Sequence, residues 1–164
     1  EPENIIEQFD IDTELELAIA NFLAENKDSL FRWMEKIKNI CSLGFGSTVY
    51  DIQLDGRKQV FSHVEALNLL NFKISQVYDK YPSENALKFC SDNNISLTDN
   101  INKIHPDIDI LIVALPTSEI EVAYEFVRRF NPRMVVLEKP VSYSSSKTIK
   151  MFKLLNSKKI SFYI

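Results

Sequence analysis

Glycine is the first shortage. Only three occur among 164 residues, and two of them, Gly44 and Gly46, stand together in the stretch LGFGST. Cysteine is rarer still: Cys41 and Cys90 lie far apart and form no CxxC pair. That spacing argues against a disulfide framework and predicts two packed thiols in a reducing cytoplasm. Basic excess is missing as well. With 19 Lys+Arg against 23 Asp+Glu, the formal net charge is −4, which leaves no electrostatic footprint for nucleic acid. The longest apolar run, Ile110 to Leu115, is far too short to cross a bilayer, so no membrane partner is expected. No cationic-then-apolar signal segment opens the sequence. No metal site is expected.

What is present suits one real core, since 45% of the residues are apolar. The sequence starts at Glu1 and stops inside the apolar run ISFYI, which reads as a piece of a longer protein. Residues 14–38 place apolar side chains at helical spacing: Leu15, Ile19, Phe22 and Leu23, then Leu30, Phe31, Met34 and Ile37. Asp12 or Thr13 can cap the first of two helices there. From Asn39 the pattern changes. ICSL (40–43), FKISQVY (72–78), IDILIVAL (108–115), RMVVL (133–137) and KISFYI (159–164) read as strands. The third and fourth are nearly continuous apolar runs, as in parallel strands covered on both faces. Helical stretches lie between them, with Ser83 and Ser118 at plausible caps. This alternation predicts an α/β fold, a doubly wound Rossmann-like parallel sheet with an N-terminal helical extension. The expected division is 1–38 for the extension and 39–164 for a dinucleotide-binding domain.

The two clustered glycines follow the first strand directly. There they allow a tight turn and let backbone N–H groups approach a pyrophosphate. The third position of the usual fingerprint is Val49, and a lone G-x-G is a weak signal. Asp79 strengthens it, because an acid ending the second strand suits a ribose 2′-hydroxyl. Its charge should favour NAD over NADP, with Lys80 softening the preference. One stretch fits badly: TVYDIQLDGRKQVF separates the loop from the next helical pattern. Its alternation around Asp55-Gly56 predicts a hairpin or long loop over 49–61, placed to close over a ligand or to block one.

The ordered set LGFGS, QVYDKYPSENALKFCSDNNI, DIDILIVALPTSEIEVAYEFV and VVLEKPVSYSSSKTIKMFKLL resembles the cofactor domain of the glucose–fructose oxidoreductase, inositol 2-dehydrogenase and rhizopine-catabolism family. The resemblance implies a catalytic role for Lys139, the lysine of the E-K-P motif, beside nicotinamide and substrate. It implies cofactor contacts from Gly44, Gly46 and Ser47 in the loop, from Asp79, from the turn Leu115, Pro116 and Thr117, and from Glu138, Lys139 and Pro140. It also implies a Lys–Pro bond that can be cis. Physics supports the lysine: an ammonium just past a strand's carboxyl end can polarise the oxygen of a hydride-transfer substrate. Ser142 and Ser144 to Ser146 read as helix caps.

The departures carry equal weight. Where the family usually has a histidine four residues after the turn proline, this chain has Ile120. His63 matches a helix-start histidine of mostly structural role, and His105 reads as solvated. The family continues into a sheet-rich domain carrying the substrate pocket and usually a catalytic histidine, and 39–164 leave no room for it. Residues 9–26, FDIDTELELAIANFLAEN, resemble the closing segment of cytidylyltransferases of the acylneuraminate type. Such a parent would join nucleotide-sugar synthesis to a sugar dehydrogenase, as in surface polysaccharide chemistry.

The leading expectation is therefore a cytoplasmic NAD(P)-binding domain of an oxidoreductase for a sugar, nucleotide sugar or cyclitol, inactive alone, with room for a homo-oligomer. One rival is a degenerate, non-catalytic Rossmann interaction module. The other is the linker-plus-domain segment of a bifunctional cytidylyltransferase/oxidoreductase.

Overall fold

A computed structural model describes residues 35–46, 49 and 62–164. The chain divides into two units, Glu1–Ile37 and Lys38–Ile164. The helical extension expected over 1–38 lies almost wholly outside the described residues, and so does the hairpin or long loop expected over 49–61, whose one described residue, Val49, is helical rather than extended.

The second unit is a sheet of six parallel strands with four described helices between them. Its elements run β1 (Ile40–Leu43), α1 (His63–Leu69), β2 (Gln76–Tyr78), α2 (Glu84–Asp92), β3 (Ser96–Thr98), β4 (Ile110–Val113), α3 (Ile120–Phe130), β5 (Met134–Leu137), α4 (Ser145–Ser157) and β6 (Ser161–Tyr163). The strand order is β3-β2-β1-β4-β5-β6, the doubly wound arrangement expected. Every residue of β1 and β4 is buried, which explains the unbroken apolar run of β4; in β1 the buried Ser42 hydroxyl is satisfied by donating to Gly44 O at 2.8 Å. In β5 burial alternates, with Val135 and Leu137 inside. Helix α3 buries Ile120, Ala123, Phe126 and Val127, one face at helical spacing, and α4 buries Met151 and Leu155. These side chains join Leu111, Val113, Val135 and Leu137 in one core. Burying a ring such as Phe126 contributes about 2–3 kcal/mol.

Glycine's scarcity has a visible consequence at the helix ends. A left-handed residue follows each of the four helices: Asn71 (φ 58°), Asn94 (φ 55°), Asn131 (φ 53°) and Lys159 (φ 56°). Glycine commonly takes this position, and asparagine is the usual substitute because its short side chain tolerates that conformation.

Three expectations need correction. A strand at Ser96–Thr98 was not foreseen, because its partly exposed SLT carries no apolar signal. The run FKISQVY is strand only over Gln76–Tyr78; Ile74 is buried, but Phe72 and Lys73 precede the ladder. Ser118 does not cap α3, since a 3-10 turn over Thr117–Glu119 intervenes and no side chain caps the helix. Ser83 does cap α2, accepting from the Ala86 N–H at 3.1 Å. Ser144 stands at the N-cap of α4 without capping through its side chain.

The amino ends of three strands meet at one buried carboxylate. Asp109 Oδ2 accepts from the backbone N–H of Lys38 at 2.8 Å and of Asn39 at 3.0 Å. Arg133 Nε lies 3.3 Å from Oδ1. The Asp109 carbonyl accepts from the N–H of Arg133 and Met134 at 3.1 and 3.0 Å. One residue thus joins the entries of β1, β4 and β5. Asp109→Ala should cost about 2–3 kcal/mol, because it orphans two part-buried N–H donors, while the half-exposed Arg133 can turn to solvent. Urea unfolding should show a lower midpoint with an unchanged slope; an unshifted midpoint would show that the clasp is ornamental.

Candidate functional site

Register brings the site together. Leu43 is level with Tyr78 and with Val113, and Val113 with Leu137. The next residue of each strand therefore falls in a single row: Gly44, Asp79, Ala114 and Glu138. Each extends the ladder by one backbone bond: Gly44 N–H to Tyr78 O at 2.7 Å, Asp79 N–H to Thr98 O at 3.0 Å, Ala114 N–H to Leu43 O at 2.8 Å, and Glu138 N–H to Val113 O at 2.9 Å. The strand order reverses between β1 and β4, so this row borders the crevice where open α/β sheets bind ligands.

The two glycines serve different ends. Gly44 has φ +84°, and a Cβ built on it would lie 2.5 Å from the Ala114 carbonyl oxygen. Fold alone demands glycine there. At Gly46 a Cβ would meet no described residue within 4 Å. Packing among the described residues therefore makes no demand for glycine there, and its bare backbone is of the kind that can approach a phosphate. The third fingerprint position, Val49, is fully buried and donates its N–H to Gly46 O at 2.9 Å.

Asp79 orders the neighbouring loops. Its Oδ2 accepts from the Phe45 N–H at 2.8 Å and its Oδ1 from the Tyr81 N–H at 2.9 Å. A carboxylate has about four lone-pair sites, so acceptor capacity remains for ribose hydroxyls. Lys80 Nζ sits 5.2 Å from the Tyr81 ring centre, and its hydrogen bond to that side chain raises its pKa above the ordinary lysine value.

At the end of β5, His63 Nε2 donates to Glu138 Oε1 at 2.5 Å. Lys139 is exposed and forms no hydrogen bond or ion pair among the described residues. The Lys139–Pro140 peptide bond is cis. All the predicted site residues that are described, namely Gly44, Gly46, Asp79, Leu115, Pro116, Thr117, Glu138, Lys139 and Pro140, line one cleft of about 590 Å³. Ser47 lies outside the described residues. Tyr81, Glu119 and Tyr143 line the cleft too and were not foreseen. The pairing of His63 with Glu138 was equally hidden, because 75 positions separate them.

The remaining candidates sit elsewhere. Ile120 is packed in the core at 4% exposure. His105 is exposed, its backbone pinned to the Gln76 amide at 2.9 and 3.2 Å. Burial pushes the Cys41 thiol to about 12 and the Cys90 thiol to about 11, so neither supplies a nucleophile. Among the described residues no group of three or more side chains could hold a metal ion, and no helix is long and apolar enough to cross a membrane.

Residues 56–164 match the model of the oxidoreductase family with an NAD-binding Rossmann fold (Gfo/Idh/MocA). The chain belongs to this family. It carries the family's NAD-binding Rossmann domain. No curated protein matches it significantly. Solved structures share its fold at low identity. The WlbA dehydrogenase of Bordetella pertussis, solved with NADH and UDP-GlcNAcA, superposes with a TM-score of 0.61 at 14% identity, covering 78% of this chain and 36% of its own. For the Chromobacterium violaceum WlbA dehydrogenase, solved with the same ligands, the values are 0.57, 18%, 78% and 34%. For an oxidoreductase of Bacillus cereus they are 0.54, 16%, 76% and 33%. The chain thus spans about a third of the length of these structures.

The glycines provide a paired test. Gly44→Ala should destabilise the chain by about 3 kcal/mol or more, combining left-handed strain with a backbone clash. Gly46→Val should leave thermal unfolding nearly unchanged yet abolish cofactor binding. The opposite pattern, a tolerant Gly44 and a fold-breaking Gly46, would refute this division of roles.

Proposed function

We propose that this chain is the cofactor half of an NAD-dependent oxidoreductase acting on a sugar, nucleotide sugar or cyclitol by hydride transfer. Residues 39–164 form its cofactor domain and 1–38 a lead-in. The observation that carries the reading is the meeting of Gly44, Gly46, Asp79 and Lys139 in one cleft at the switch point. The residues fit a dinucleotide: a bare Gly46 backbone for the pyrophosphate, spare acceptors on Asp79 for a ribose, and at the far end the Lys139 ammonium, which has no partner among the described residues. Asp79 belongs to the β1–β2–β3 half of the sheet, so the nicotinamide nucleotide falls to the half containing β5 and Lys139. When bound, the nicotinamide supplies or accepts the hydride. The chain's own part is to hold the substrate oxygen. Lys139 Nζ donates a proton to that oxygen as a carbonyl becomes an alcohol, and takes it back in the reverse direction. Two relatives in fold were solved with a nucleotide sugar, which supports that substrate class here.

A second reading, the non-catalytic Rossmann module, has one observation in its favour. The third fingerprint position, where glycine usually allows close helix–strand packing, is filled by the fully buried Val49.

Titration decides between the two. NADH at about a hundred times its dissociation constant should stabilise the chain by roughly 2.7 kcal/mol, whereas no rise in melting temperature with NAD or NADP favours the module. Lys139→Ala should alter NADH affinity only slightly. In a chain that also carries the substrate-binding half it should cut turnover by about a hundredfold to ten-thousandfold, and Lys139→Arg should not restore it. Undiminished turnover would make the E-K-P segment a mere turn.

Cofactor choice tests Asp79. The unmutated chain should bind NAD more tightly than NADP, since the carboxylate repels a 2′-phosphate. Asp79→Asn keeps one acceptor for the loop amides and should narrow the gap about tenfold, equivalent to about 1.4 kcal/mol of lost repulsion. Tighter binding of NADP by the unmutated chain would overturn the assignment.

A further inference from the structure

Glu138 and Lys139 are neighbours in sequence at the mouth of the cleft, yet they do not pair. The carboxylate is taken by His63, whose Nε2 donates to Oε1 at 2.5 Å. The ammonium has no partner among the described residues. Both ends of the His63–Glu138 link are anchored. Glu138 is fixed by its N–H on Val113 O at 2.9 Å. His63 is the first residue of α1, directly after Ser62, whose N–H donates to Glu65 Oε2 at 3.0 Å while its Oγ accepts from Glu65 N–H at 3.2 Å. That capping box holds the backbone on which the imidazole stands. The imidazole is 21% exposed and the Glu138 side chain 38%, so the link borders the open cleft without being immersed in solvent.

The geometry points to His63 as a positioning residue that holds the Glu138 carboxylate against α1, away from the nicotinamide and from Lys139. This rests on the cofactor reading above. Released, the carboxylate has two attractive destinations inside the cleft: the Lys139 ammonium, which it would neutralise, and the positively charged ring of oxidised nicotinamide. The reduced ring is neutral and offers no such attraction. The tether therefore sets how evenly the site binds the two oxidation states, a property that a purely structural link between α1 and β5 would not control.

The test is calorimetric titration of the chain with NAD+ and with NADH, alongside melting curves for every variant. His63→Leu removes the tether, and NADH binding should weaken relative to NAD+ by about twofold to thirtyfold, the range expected for one largely water-screened charge near the ring. His63→Gln keeps an N–H donor of similar reach and should return the ratio most of the way. In a Glu138→Gln background, His63→Leu should no longer move the ratio, because the charge it releases is gone. A ratio unmoved by His63→Leu in a folded chain overturns the positioning role alone, as does an equal effect in the Glu138→Gln background. Failure of the unmutated chain to bind either form overturns the cofactor reading, and the positioning role with it.

Discussion

The approach of Gly44 to the Ala114 carbonyl is the contact on which the site depends. A side chain's first carbon at Gly44 would come within 2.5 Å of that oxygen, so the exits of β1 and β4 can lie this close only without one. Closeness here has two effects. It lets the ladder run one residue further, through Gly44 and Ala114, before the chains part. It also leaves Phe45 to turn back under the loop, where its N–H meets Asp79 and its ring packs 5.9 Å from Phe89. The glycine loop is thus held from below by packing and from the side by a carboxylate, while no described residue packs against Gly46.

Much of this was legible in the sequence because it is local. Continuous apolar runs such as ILIV betray a strand buried on both faces, and a serine before a helical pattern betrays a cap, as at Ser83. The row Gly44, Asp79, Glu138 could be foreseen because parallel strands of similar length end level. Other features left no local trace. Ser96–Thr98 is a strand only because β2 offers it a ladder; its own side chains are half exposed. The pairing of His63 with Glu138 depends on where α1 begins, 75 positions before Glu138 in the sequence. Ser118 reads as a cap, but the turn begun by Pro116 continues through Glu119 and delays the helix by one residue.

The rarity of glycine ties these observations together. A chain with three glycines can spend them only where nothing else fits, and one of them is locked at the exit of β1. Helix endings, which could have used more, rely on asparagine and in one case on Lys159. A glycine kept at Gly46, where packing among the described residues makes no demand for it, is therefore informative in a way that it would not be in a glycine-rich chain.

The clasp at Asp109 has a consequence for how such a protein can change over time. It gathers the entries of β1, β4 and β5 at the edge of the sheet opposite the cleft, using a buried carboxylate rather than the loops that would touch a ligand. The two edges are thereby insulated. Substitutions around the cleft can alter what is bound, or whether anything is bound, while the strands stay in register from the other end. A lineage built on this plan is free to drift between enzyme and scaffold without first losing its shape.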